Sequence, residues 1–230
     1  MDNILIVVPA RGGSKGIKLK NLKTIFGDSL IKITSKVIHQ LPFKYTAIVS
    51  TDHTEIANEA KKCNLEVPFI RPESISGDFI SDWDVLNHAL LEMEKIKNKI
   101  FDIVIMLQPT SPLRSANDIK ECLDKFKSNN FDSVWTVSPI DLKYHPKKIL
   151  NAKNNKLSFY DDDGKNIIAR QQLEECIIRN GLCYVVSRNC ILTHKNIYGE
   201  NFGYSITQRD IANIDTLSDL ERATELMSKK

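Results

Sequence analysis

The segment Arg11-Gly12-Gly13-Ser14-Lys15-Gly16-Ile17-Lys18-Leu19-Lys20-Asn21 holds the residue types needed to cradle a polyphosphate. Three glycines let the backbone approach a phosphate chain and aim amides at it, while Arg11, Lys15 and Lys20 supply countercharge and Ser14 a hydroxyl. A basic surface loop would have a similar composition. Neither GxGxxG nor GxxxxGK[ST] is present, which disfavours an ordinary dinucleotide fold and a Walker-type ATPase. Gln108-Pro109-Thr110-Ser111-Pro112-Leu113-Arg114 is a second candidate, a loop stiffened by two prolines and able to position a substrate. Arg170-Gln171-Gln172-Leu173 and Arg179-Asn180-Gly181 offer guanidinium groups that could hold a carboxylate by paired hydrogen bonds.

These residues need elements to position them, and the hydrophobic pattern supplies an α/β alternation. Ile4–Val8 reads as a strand, Ser29–Leu41 as a helix, Tyr45–Ser50 as a strand, Thr54–Cys63 as a helix and Glu66–Ile70 as a short third strand. Asp82–Lys97 is helical by the spacing of Val85, Leu86, Ala89, Leu90 and Met93. Phe101–Leu107 is apolar on both faces, as central parallel strands are. Asn117–Ser128 reads as a helix, Asp132–Val137 as a strand and Leu217–Met227 as a closing helix. Ser50-Thr51-Asp52 resembles a helix cap. The glycine segment and the Gln108 loop both follow strands, which places them at the carboxyl edge of the sheet, where α/β proteins bind ligands. The rhythm fails from about 142 to 180, where the text turns polar and irregular. One catalytic domain over 1–230 with an inserted arm accounts for that stretch better than a long structureless loop.

The 230 residues carry 32 basic and 29 acidic side chains, a formal charge of +3, spread along the chain. That balance argues against a nucleic-acid surface, and no apolar run is long enough for a membrane span. The first run is also too short for a signal peptide, so a soluble cytoplasmic protein is expected. The five cysteines form no CxxC pair and imply neither a disulfide framework nor a zinc site.

The glycine segment resembles the acylneuraminate cytidylyltransferase pattern A-R-x-x-S-K-G-(I/L)-P-x-K-N-(L/I), with Lys18 at the family's proline. Leu107-Gln108-Pro109-Thr110-Ser111-Pro112-Leu113-Arg114 is nearly identical to the family's wording. Ser50-Thr51-Asp52 and Arg71-Pro72 before it, and Arg170-Gln171 and Arg179-Asn180-Gly181 after it, match further elements of the family pattern in order. The resemblance implies a three-layer nucleotidyltransferase fold with a Rossmann-like, mostly parallel sheet and a dimerisation arm at about 142–180. It implies transfer of CMP from CTP to the anomeric hydroxyl of a sialic-acid-like nonulosonic acid, in a homodimer. Legionaminic, pseudaminic or 3-deoxy-octulosonic acid are alternative acceptors, and a catalytically impaired nucleotide-binding homologue is the other alternative.

By the same resemblance Arg11, Gly12, Ser14, Lys15, Lys20, Asn21 and Arg71 bind nucleotide, with Arg11 and Lys20 stabilising phosphate charge. Gln108, Arg170, Gln171 and Tyr184 bind the sugar, with some arm contacts made in the partner's site. Phosphoryl transfer from CTP needs a divalent cation, magnesium with manganese as the substitute. The family binds it through D-I-D-(T/S)-x-x-D-(L/F), which here reads Asn213-Ile214-Asp215-Thr216-Leu217-Ser218-Asp219-Leu220. Residues two apart on an extended segment point the same way, so Asn213 keeps the geometry of the first ligand without its charge. Asp215 is the expected metal ligand and proton acceptor, and Asp219 a helix-start residue.

Overall fold

The computed structural model describes residues 2–229. Among these the chain forms β1 (Ile4–Pro9), a short hairpin β2–β3 (Thr24–Ile25, Asp28–Ser29), α1 (Leu30–Ile38), β4 (Thr46–Ser50), α2 (Thr54–Lys62), α3 (Asp82–Lys97), β5 (Ile103–Met106), α4 (Ala116–Asn129) and β6 (Ser133–Pro139). A second hairpin β7–β8 (Leu150–Lys153, Lys156–Phe159), β9 (Ile177–Ser187), β10 (Phe202–Ile206) and α5 (Leu217–Ser228) follow. The main sheet has the order β10-β6-β9-β5-β1-β4. β9 runs antiparallel to β5 and β6, and the other pairings in this sheet are parallel.

Side-chain alternation splits the core into two faces. Ile4, Ile6 and Val8 of β1 pack with α1, α2 and α4, whereas Leu5 and Val7 pack with Leu86, Ala89, Leu90 and Met93 of α3. The result is three layers, with a mostly parallel sheet between helices, as expected. Ser81 and Asp84 form a capping box that starts α3, and Ser115 and Asp118 do the same for α4. Thr216 and Asp219 start α5 in this way, so Asp219 is a helix-start residue.

Two local readings need correction. Glu66–Ile70 is not a strand: a single parallel bridge joins Glu66 to Ile48, and Pro68 has no amide to extend the ladder. Ser50-Thr51-Asp52 does not cap α2, whose N-cap is His53, with its ring accepting from the amide of Glu55. The irregular stretch contains regular structure. Asn154 and Asn155 both take positive φ, 51° and 56°, and close the two-residue turn of the β7–β8 hairpin. All eight residues of that hairpin are exposed.

The chain leaves β1 for β4 on one side and returns to β5 on the other, so the order reverses between β1 and β5. Ligands of open α/β sheets bind at this switch point, outside the carboxyl ends of the strands. The glycine segment and the Gln108 loop both emerge there. A third hydrophobic cluster pins them together: Ile17 and Leu113 pack with Ala212, Ile214 and Ala223, and the apolar face of α5 closes over it. Arg209 anchors the same segment, its Nη1 donating to Asp118 Oδ1 at 2.8 Å and its Nη2 to the Leu113 carbonyl at 3.1 Å. Arg209→Ala would leave the mostly buried Asp118 carboxylate without its guanidinium. A stability loss of roughly 2–3 kcal/mol is expected, read as a lowered urea midpoint, and an unchanged midpoint would contradict the anchoring role.

Candidate active site

The cleft at the switch point has a volume of about 450 Å³. Arg11, Ser14, Lys20 and Asn21 of the glycine segment line it, together with Arg71, Asp78, Asp82, Gln108, Arg179, Tyr184, Asn213 and Asp215.

The glycine loop is held by backbone contacts that need small residues. A β-carbon at Gly12 would stand 2.6 Å from the His53 ring, and one at Gly16 would stand 2.3 Å from the Asp215 carbonyl oxygen. The Gly12 amide donates to Asp52 Oδ1 at 2.8 Å, which gives Asp52 a structural role in the loop. Asn21 is buried, and its Nδ2 donates to the Arg11 carbonyl at 3.1 Å. Leu19 adopts φ 49° just before Lys20, an unusual conformation for a branched residue. Lys20 is thereby brought to Asp215, with Nζ to Oδ1 at 2.7 Å.

Arg71 is 3% exposed; its amide donates to the Thr51 carbonyl at 2.7 Å and its Nε to Ser76 Oγ at 3.1 Å. Burial pushes its pKa down, Asp52 pulls it back up, and Arg11 nearby pushes it down again. It remains a cation in the cleft wall. Arg11 and Lys15 converge on Asp78, at 2.9 and 2.5 Å from its two carboxylate oxygens, and they hold that carboxyl below the usual range.

The Gln108 loop is fixed by Arg114, whose Nη2 donates to the carbonyls of Gln108 at 2.6 Å and Gly181 at 3.1 Å, and whose Nε donates to that of Leu182. Full burial lowers its pKa to about 10, which leaves it charged at neutral pH. Arg114 therefore ties the loop to β9 and does not face the cleft. Ser111 Oγ donates to Asn213 Oδ1 at 2.6 Å and holds the loop to the carboxylate segment. The Ile214 amide adds a bond to the Thr110 carbonyl at 2.9 Å.

On β9 the pairing with β6 shifts between Trp135 and Val137, and Gly181 sits in that irregularity with φ 73°. A β-carbon there would lie 2.8 Å from Ser111 Oγ, 3.1 Å from Asn213 Oδ1 and 3.3 Å from Gln108 Oε1. Glycine is what allows these three groups to meet. Flanking it, Arg179 and Tyr184 line the cleft. Burial raises the Tyr184 phenol above its ordinary pKa, with Arg179 opposing.

Most of the expected residues converge. Arg11, Ser14, Lys20, Asn21, Arg71, Gln108, Tyr184, Asn213 and Asp215 line one cleft. Gly12 and Lys15 support its rim through Asp52 and Asp78. Arg170 and Gln171 are exposed in a short turn of the arm and do not line the cleft of their own chain. Of the two arginine motifs read in and after the arm, the one that reaches the cleft is Arg179. Asp78 and Asp82 escaped the sequence reading. Asp82 is the first residue of α3, where an acidic residue is explained by the helix dipole alone, and Asp78 lies in a segment with no periodicity.

Residues 5–230 match the family model described as cytidylyltransferase. The chain belongs to the cytidylyltransferase family. It is 32% identical to the CMP-N,N'-diacetyllegionaminic acid synthase of Campylobacter jejuni, over all of this chain and 97% of that one. It is 28% identical to the pseudaminic acid cytidylyltransferase of Campylobacter jejuni, over 95% and 94% of the two chains. Among solved structures, a CMP:2-keto-3-deoxy-manno-octonic acid synthetase complexed with CTP aligns with a TM-score of 0.75 at 18% identity, covering 99% of each chain. That likeness bears out the nucleotidyltransferase fold. No helix among the described residues is long and apolar enough to cross a membrane.

A triphosphate held where the sequence resemblance expects it, at Arg11 and Lys15, would displace the Asp78 pairings. Asp78→Asn removes the internal competitor. CTP should bind roughly two- to fivefold more tightly at low ionic strength, with the gain shrinking in salt, as calorimetry can measure. Weaker binding would show that Asp78 helps to hold nucleotide. Gly181→Ala should cost most of the activity through the collision at Ser111 and Asn213, and a fully active variant would contradict the convergence described above.

Proposed function

We propose that this cytidylyltransferase transfers CMP from CTP to the anomeric hydroxyl of a nonulosonic acid and releases pyrophosphate. The observation that carries the reading is the meeting, in one cleft at the switch point, of the cationic glycine loop, the Gln108–Arg179 wall and the Asp215 carboxylate. The anomeric oxygen forms a bond to the α-phosphorus, the α–β phosphoanhydride bond breaks, and the proton passes to Asp215. Arg11 and Lys20 offset charge on the phosphates, and the buried Asn21 amide keeps the loop in place for them. Gln108 and Tyr184 face the sugar, and Arg179 takes the carboxylate-binding role expected of Arg170 within the chain's own cleft. The relatives named for legionaminic and pseudaminic acid support an acceptor of that kind ahead of sialic acid itself.

The donor set suits magnesium. Asp215 is a single carboxylate with its side chain 80% exposed, and Asn213 contributes an amide oxygen whose second lone pair is left after Ser111 donates to it. One carboxylate with phosphate and water is how magnesium is commonly held, and manganese accepts the same oxygen donors. No group of three or more His, Cys, Asp or Glu side chains placed to hold a metal ion occurs among the described residues. When bound, the cation would neutralise triphosphate charge opposite Lys20.

A homodimer is the proposed working form. Ile149, Leu150, Leu157, Phe159, Tyr160 and Ile168 of the arm are exposed apolar side chains, and Phe202, Tyr204 and Ile206 extend the α3 face of the sheet beyond its helical cover. Such surface favours a second copy. Arg170 and Gln171, outside their own cleft, would then serve the partner's site.

Incubation with CTP, magnesium and a panel of nonulosonic acids should release pyrophosphate with at least one sugar. CTP binding without release from any sugar would favour the rival reading, a nucleotide-binding homologue impaired at Asn213. Asp215→Ala should lower turnover by roughly a hundredfold or more while CTP still binds, and near-normal turnover would remove Asp215 from the mechanism. Mixing inactive Arg170→Ala and Asp215→Ala proteins should restore part of the activity if sites are completed across the dimer. A mixture that stays inactive would contradict completion of the site by the partner's Arg170, and an Arg170→Ala protein that is itself fully active would place Arg170 outside the reaction.

A further inference from the structure

Resting on the proposed reaction, one group in the cleft has no task yet. Asp82, at the start of α3, is half-buried and faces the cleft beside Gln108, Arg179 and Tyr184. Arg179 and the Gln108 side chain lie near enough to favour its charged form; burial raises its pKa, and Arg179 and then Gln108 oppose the rise. Helix capping does not require it there, because Ser81 and Asp84 already complete the capping box of α3.

The orientation of Gln108 can be read from its neighbours. Its Oε1 lies toward Gly181, so its Nε2 is the atom directed at Asp82. An amide nitrogen carries two hydrogens, so Nε2 has one to turn toward Asp82 and one for a ligand. As a carboxylate Asp82 is acceptor-only and has lone pairs beyond the one turned toward Gln108. Side by side, the pair therefore presents one acceptor and one donor to the cleft. Val85, three residues on along the same face of α3, and Ile80 add an apolar wall. An acceptor, a donor and an apolar wall match the N–H, C=O and methyl of an acylamino group.

We propose that Asp82 is a specificity-determining residue that accepts the N–H of an acylamino substituent on the acceptor sugar, with Gln108 donating to its carbonyl. A sugar acid with no acylamino group leaves this carboxylate without its ligand donor. Sites built to hydrogen-bond a substrate group reject analogues that lack it, because their own polar atoms are then left unpaired.

The test is steady-state kinetics of the wild type and Asp82→Ala with CTP, magnesium and four probes: N-acetylneuraminic, legionaminic, pseudaminic and 3-deoxy-octulosonic acids. The last carries no acylamino group. For the best acylamino-bearing probe, KM should rise roughly ten- to hundredfold in Asp82→Ala, while KM for CTP and the parameters for 3-deoxy-octulosonic acid move by less than about threefold. The preference for acylamino sugars then collapses. An unchanged sugar KM, or an equal loss with every probe, overturns the proposal. Should Asp82→Ala fail to bind CTP, the isosteric Asp82→Asn, which sets a second donor against that of Gln108, is read by the same criteria. If the wild type turns over none of the probes, the proposed reaction fails separately. Ligand-observed NMR of the same probes with both proteins then decides the subsite: selective loss of the acylamino sugars supports it, and equal binding overturns it.

Discussion

Several cations must be held at one sheet edge before an anion arrives to share their charge. Two unit charges 4 Å apart interact by about 1 kcal/mol in water and about 4 kcal/mol near a protein surface, so bare cations gathered in a cleft would strain the fold. The chain meets this by setting acids among them. Asp78 spans Arg11 and Lys15, Asp215 meets Lys20, Asp52 acts on Arg71, and Asp82 lies near Arg179. On the proposed reading, nucleotide binding in such a cleft would be an exchange of partners, in which phosphate replaces carboxylate.

That exchange requires walls that do not move when the charges are rearranged. Arg114 is such a support: sealed from solvent and bonded to three backbone carbonyls, it fixes the Gln108 loop to β9 without contacting the cleft. Gly181 and Gly16 let backbone segments approach within distances that a side chain would forbid. Beneath them the Ile17–Leu113–Ile214 cluster joins the three site-bearing segments into one hydrophobic unit under α5. The chemistry at the edge thus rests on packing that is largely apolar, with Arg209 and Asp118 as its charged clasp.

What could be read from the chain alone follows from how local each feature is. The glycine loop and the Gln108 loop depend on residues adjacent in sequence, and both stand at the cleft. α3 was legible to the residue because its periodicity and its Ser81 cap agree. Glu66–Ile70 failed because β-branched composition does not supply a pairing partner, and Pro68 interrupts the ladder. The β7–β8 hairpin was hidden by polar composition, although Asn154-Asn155 is a turn signal in its own right. Choosing between Arg170 and Arg179 required knowing where the arm rejoins the sheet. Asp78 and Asp82 acquire meaning only from cations distant in sequence, which no local pattern encodes.

The wall proposed to meet the sugar is the more distinctive half of the site, because triphosphate recognition uses groups common to many nucleotidyltransferases. On the proposed reaction, CTP is cleaved between its α- and β-phosphates by a sugar hydroxyl held against this wall. Parallel reactions with CTP labelled at the α- or the γ-phosphorus, magnesium and a nonulosonic acid test it most directly. The account predicts α-label in a CMP–sugar and γ-label in pyrophosphate. Label released as CDP and inorganic phosphate, or α-label in free CMP with no sugar product, would contradict it.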